Sequence, residues 1–184
     1  MLALSPLQAD RYQPQREALK EAVRFQEEIG EKLLKRKKLC LLSSGQEVIE
    51  GQIESLTLRL KSHLCLEPAE ARCFYIHLLT AYLEEINSCL RLRPFLAPFP
   101  FTTEEVSIEL IFETKEGAPL DARYISLIFV EHGRHLVFAV FDPLTQRLHE
   151  LLVEELQTAF FETRHDHRYG NGRLFWELTP HTSR

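Results

Sequence analysis

Apolar residues recur along this chain with two different periods, and the change of period divides it. In the first half they fall three or four residues apart. Ala18, Ala22, Phe25, Ile29 and Leu33 make one such stripe, which predicts an amphipathic helix over 14–38 with Pro14 in its first turn. Ile49, Ile53, Leu56, Leu60 and Leu64 make a second stripe. It predicts a helix over 46–63, opened by the capping-box spacing of Ser43 with Gln46 or Ser44 with Glu47. A third segment, 68–92, opens on Pro68 and is stopped by Pro94. Its apolar residues lie on most sides, the mark of a central helix.

Beyond residue 104 the period shortens to two. Val106, Ile108, Leu110 and Phe112 alternate with Ser107, Glu109, Ile111 and Glu113, as in a half-buried strand. Residues 124–130 (YISLIFV) and 135–141 (HLVFAVF) read as two further strands. His132-Gly133 supplies a tight turn between them, and Asp142-Pro143 ends the second. Leu148, Leu152, Leu156 and Ala159 return to helical spacing and predict a helix over 146–162. RLFWELT at 173–179 predicts a short edge strand.

The fold expected is therefore α+β: N-terminal helices packed on an antiparallel sheet, a meander of three strands plus a short edge strand, with one further helix. One domain spans 1–184. It comprises a loose lead-in at 1–13, a helical part at 14–92, a strap at 93–104 and a mainly sheet part at 105–179. The strap interleaves Pro94, Pro98 and Pro100 with Phe95, Leu96, Phe99 and Phe101. That much apolar surface predicts a segment lying across the core.

Composition narrows the function classes. Twelve Phe and five Tyr in 184 residues supply a core. A net charge of -5 argues against binding double-stranded nucleic acid, which needs cations to displace condensed counterions. Residues 1–40 hold nine Lys/Arg and six Asp/Glu, with the excess gathered in Lys35, Arg36, Lys37 and Lys38. No apolar window is long enough to span a membrane, and the N-terminus has no signal-peptide pattern. Cys40, Cys65, Cys73 and Cys89 form no CxxC pair and stand in apolar surroundings. They read as reduced and buried, in keeping with a cytoplasmic location.

Chemistry-bearing motifs are sparse. P-loop, GxGxxG, GxSxG and HExxH patterns are all lacking, and no cofactor is expected. His165 and His167 flank Asp166 in a metal-ligand-like triplet, but no further ligand is placed by spacing. No metal is expected there, and the triplet reads first as a solvated loop. His77, seven residues before Glu84, and Asp142 at a strand end are the candidate catalytic groups. Their simpler readings are a boundary histidine and a turn-forming aspartate.

Two functions are weighed on these features. The first is a non-catalytic protein-binding or adaptor module, chaperone-like, contacting a partner or a second copy through Phe25, Ile29, Leu33 and Lys35 to Lys38. The alternative is a small-ligand-binding protein or small hydrolytic enzyme. Its pocket would lie between the central helix and the sheet, lined by Tyr82, Tyr124 and Phe138.

Overall fold

The computed structural model describes residues 6–30, 32 and 39–165, with side chains from residue 13 onward. Among the described residues there are three α-helices: α1 at Pro6–Ile29, α2 at Pro68–Ser88 and α3 at Leu156–His165. The described residues also hold six strands: β1 at Leu39–Ile49, β2 at Gln52–Ser62, β3 at Val106–Phe112, β4 at Leu127–Glu131, β5 at His135–Asp142 and β6 at Arg147–Glu155. They form one sheet in sequence order, β1-β2-β3-β4-β5-β6. All neighbours are antiparallel except β2 and β3, which run parallel.

This corrects the expected sheet. The meander β3-β4-β5 is present, but it sits inside a mixed six-stranded sheet. The segment expected as a helix over 46–63 is the end of β1, a two-residue turn and β2. Glu50 and Gly51 both take positive φ, 51° and 85°, the backbone of a type I′ hairpin turn. Leu56, Leu58 and Leu60 are buried while Thr57 and Arg59 are exposed, so the working period is two. The helix expected over 146–162 is β6 followed directly by α3. The strand expected at 173–179 lies outside the described residues.

The first helix begins at Pro6, so residues 6–13 belong to it and Pro14 lies inside it. Ala18, Ala22, Phe25 and Ile29 are buried as its stripe predicts. The Phe25 ring stacks on Tyr82 of α2 at 6.1 Å. α2 starts with a reciprocal capping box between Glu67 and Glu70, and Pro68 opens the helix. It then crosses the sheet to join the parallel strands β2 and β3, the usual role of a helix in a βαβ unit. Its Tyr75 is fully buried and donates its hydroxyl to the Ile108 carbonyl of β3 at 2.8 Å. Desolvation pushes that hydroxyl's pKa well up, so it stays protonated.

One inner row runs Leu60, Leu110, Ile128, Phe138, Leu152 across β2 to β6. The first four are fully buried beneath the helices. In the strap Leu96 and Phe101 are buried, while Phe99 is 41% exposed. Asn87 fixes the strap, donating to the Phe101 carbonyl at 2.9 Å and accepting from its amide at 2.8 Å. No described helix is long and apolar enough to cross a membrane.

Candidate functional site

The helices occupy one face of the sheet, and the other face is divided by chemistry. Over β2 and β3 it is charged: Arg59 pairs with Glu109 at 3.1 Å and Lys61 with Glu113 at 2.9 Å. Over β4, β5 and β6 it is mostly apolar, bordered by the row Glu131, His135 and Glu155. The cross-strand row that begins at Arg59 and Glu109 continues through Phe129, Val137 and Val153. The next row carries Ile111, Leu127 and Ala139 and ends on Glu150, and Phe141 pairs with Leu148. Side chains alternate across a sheet, so these residues share the face turned away from the helices.

Within this patch Val137 and Ala139 are buried, and Leu127 and Phe129 are half-buried. Its β6 border is open. Leu148, Leu151 and Val153 are about half exposed, at 49%, 52% and 47%. Among the described residues β6 is the last strand of the sheet, and a register shift opposite Phe138 and Ala139 leaves Leu151 without a partner on β5. A contiguous apolar face of this kind marks a contact surface more often than bare solvent.

The residues singled out from sequence fall elsewhere. Phe25 and Ile29 are buried against α2, within the chain's own core. Leu33, Lys35, Arg36, Lys37 and Lys38 lie outside the described residues. Tyr82 and Phe138 are fully buried, while Tyr124 is half-buried with the Arg123 guanidinium 4.8 Å over its ring. Tyr82 and Phe138 therefore fill core. The Tyr82 hydroxyl lies beside Gln26, whose amide donates to the Gly45 carbonyl at 2.9 Å. Burial raises the pKa of that hydroxyl well above its ordinary value.

A cleft of about 210 Å³ does open between α1 and the C-terminal part of α2. Phe25, Glu28, Glu85, Cys89 and Arg91 are among its lining. It is smaller than the roughly 300–1,000 Å³ of ordinary ligand pockets. Its charges also serve each other. Arg91 bonds Glu28 at 2.5 Å and stands 3.9 Å from Glu21. That bond to Arg91 holds the Glu28 carboxyl below the usual range.

His77 is half-buried and its Nδ1–H donates to the Cys73 carbonyl one turn back, at 2.7 Å. Asp142 forms an aspartate turn, accepting from the Leu144 amide at 2.8 Å and the Thr145 hydroxyl at 2.9 Å. His149 Nε2 stands 2.8 Å from that hydroxyl and 3.5 Å from Asp142 Oδ2. This Asp-Thr-His cluster was not legible from spacing. The Thr145 hydroxyl, donating to the Asp142 carboxylate and beside His149, ties the β5–β6 hairpin turn together. His165 stacks on Phe161 at 4.1 Å and bonds the Phe161 carbonyl, while His167 lies outside the described residues. Among the described residues no three metal-ligating side chains converge. Cys40 and Cys65, expected buried, are exposed, and Cys73 is buried.

The apolar border of β6 was missed because Leu148 and Leu152 fitted a helical stripe. The adjacent run Leu151-Leu152-Val153, flanked by glutamates, was the available signal. No protein-family model, no curated protein and no solved structure matches this chain.

Proposed function

We propose that this chain is a non-catalytic protein-binding module, and that its contact surface is the outer apolar face of β4 to β6. The observation that supports this reading is the row Phe129, Val137, Val153, bordered by half-exposed Leu148 and Leu151 on the last strand. Such a face is read by a complementary, mainly apolar surface of a protein, with a polar group to meet Glu150 and with His135 and Glu155 at its polar rim. Adaptor or chaperone-like action, and association with a second copy, belong to the same proposal. Cytoplasmic location is part of the proposal, supported by four cysteines that form no disulfide.

The test compares the full chain with Leu148→Lys/Val153→Lys. Both positions are exposed, so the fold should tolerate the change. Light scattering and affinity capture from native lysate are read on both proteins. The expected result is self-association or a specific captured protein in the parent, lost in the variant at unchanged melting temperature. A monomeric parent whose captured proteins are the same as the variant's would refute the reading.

A further inference from the structure

Every residue of β6 is exposed except Glu154, and among the described residues no strand lies beyond it. The outer edge of such a strand is a row of N–H and C=O groups ready to pair with another strand. Leu148, Leu151, Leu152 and Val153 stand along it, so a strand that pairs there also covers apolar side chains.

The residues of β6 fit a second β6. The strand opens on Arg147 and closes on Glu154 and Glu155. A second copy laid antiparallel brings the cationic start of each strand to the anionic end of the other, while a parallel copy sets like against like. The faces then fix the register. Leu152 and Glu154 turn toward the helices, as do Arg147 and His149, whereas Leu148, Glu150 and Val153 turn away. Leu151 is an extra residue in the ladder, so the alternation changes phase between the two halves of the strand. Same-face contacts about a two-fold axis therefore set Arg147 opposite Glu154 of the second copy, Leu148 opposite its Val153 and His149 opposite its Leu152. The two bulges meet on the axis and leave the stretches on either side continuous. A slide by two residues sets Leu148 against Glu155 and Val153 against Glu150, apolar against acid.

The charges support the same register. Asp142, opposite Arg147 on β5, is engaged by the Leu144 amide, the Thr145 hydroxyl and His149. Glu154 and Glu162 share the guanidinium of Arg72. The Arg147 of a second copy brings another cation to these two carboxylates.

We propose that two copies of this chain pair through the outer edges of their β6 strands, antiparallel about a two-fold axis, to make one continuous sheet. The row Phe129, Val137, Val153 of one molecule then runs on into Leu148 and Phe141 of the other, and the two apolar faces join. This rests on the reading of that region as a contact surface and names a second copy as its partner.

Light scattering of the full chain over a concentration series should show a dimer. Arg147→Glu, at an exposed position, sets like charges together at both ends of the pairing. It should raise the dimer dissociation constant roughly ten-fold or more, with circular dichroism unchanged. The register is read by cross-linking. Leu148→Cys and Val153→Cys are prepared separately in a Cys40→Ser/Cys65→Ser background, which removes the two exposed thiols. Positions 148 and 153 of opposite copies face each other at a distance a disulfide can span, whereas the two copies of position 148 stand about 17 Å apart. With oxidised glutathione as oxidant, the mixture of the two variants should give a disulfide-linked dimer that neither gives alone. A dimer in which the mixture links no better than each variant alone overturns the proposal, because the copies then meet elsewhere. A parent that stays monomeric throughout the series overturns it as well. If that monomer still captures a specific protein, lost in Leu148→Lys/Val153→Lys, the contact-surface reading stands and only the self-pairing falls.

Discussion

Arg72 of α2 and Glu154 of β6 meet in a bidentate ion pair, Nε to Oε1 at 2.6 Å and Nη2 to Oε2 at 2.8 Å. Their side chains keep only 16% and 12% of their exposure. Arg72 also reaches Glu162 of α3, so one guanidinium joins the central helix, the last strand and the last helix. Fork-to-carboxylate geometry makes such a pair strong and directional.

Removing Arg72 should therefore cost more than an ordinary surface change. In Arg72→Ala, Glu154 remains largely desolvated and loses its main cation. We expect a loss of about 3 kcal/mol, the low end for a broken buried pair because some solvent still reaches it. The double change Arg72→Met/Glu154→Leu should cost less than Arg72→Ala alone, since no charge is then stranded. Urea unfolding of the three proteins checks this. Equal stability of the parent and Arg72→Ala would show that the pair contributes nothing.

Ile128 stands in the inner row between Leu110 and Phe138 and is fully buried. Truncation to alanine leaves a cavity under the helices. The expected loss is roughly 2–5 kcal/mol, a large share of the ~5–15 kcal/mol that holds a domain of this size. Denaturant melts showing a loss below about 0.5 kcal/mol, the scale of a neutral surface change, would contradict this placement.

The strands around Ile128 were legible because their alternation is strict and their flanks carry turn residues. The two errors share a physical cause. Ile49, Ile53, Leu56 and Leu60 fit a helix only because the hairpin turn at Glu50-Gly51 falls between two strands whose apolar positions happen to add to fours. Leu58, fully buried, breaks the helical count and keeps the strand count. Leu148, Leu152, Leu156 and Ala159 likewise join an edge strand to the helix after it. An edge strand with both sides exposed shows no clean alternation, so neither period was marked. The patch could not be read without these strands, since its rows exist only once β4, β5 and β6 are in register. Asp142, Thr145 and His149 come together through the same hairpin.

The hairpin clasp gives a pH prediction. The carboxyl of Asp142 is held below its ordinary value, chiefly by the Leu144 amide and next by the Thr145 hydroxyl. A lowered folded pKa means that the unfolded chain takes up the proton first. The stabilisation is thus fully present above the unfolded carboxylate's pKa and is lost as pH falls through the lower folded one. Asp142→Ala should be less stable than the parent near neutral pH, with the gap closing as the medium is acidified to about pH 2. The gap should persist in a His149→Ala background, because the Leu144 amide is the larger cause. Melting curves at a series of pH values test this, and a gap independent of pH would contradict it.

Gly51 offers the sharpest local test of how α1 meets the sheet. Its φ is 85°, in the region where a side chain is strained. A Cβ at this position would also stand 2.8 Å from Pro14 Cβ and 3.2 Å from the Pro14 carbonyl carbon. Pro14 belongs to α1, so the clash falls between the β1–β2 turn and the helix that covers those strands. Relief requires the helix to move or the turn to change type, and neither is free. The turn is closed by Ile49 facing Gln52, and α1 is held farther along by buried Ala18, Ala22 and Phe25. Gly51→Ala should therefore lower stability by about 1–3 kcal/mol. Glu50→Gly is the control, because it removes a side chain from a positive φ of 51° and meets no such neighbour by addition. It should be neutral or slightly stabilising. Hydrogen exchange separates local from global effects: in Gly51→Ala, amides of the first turns after Pro14 should lose protection before those of α2. If Gly51→Ala and Glu50→Gly proved equally stable, with unchanged exchange in α1, the close approach of Pro14 to this turn would be wrong.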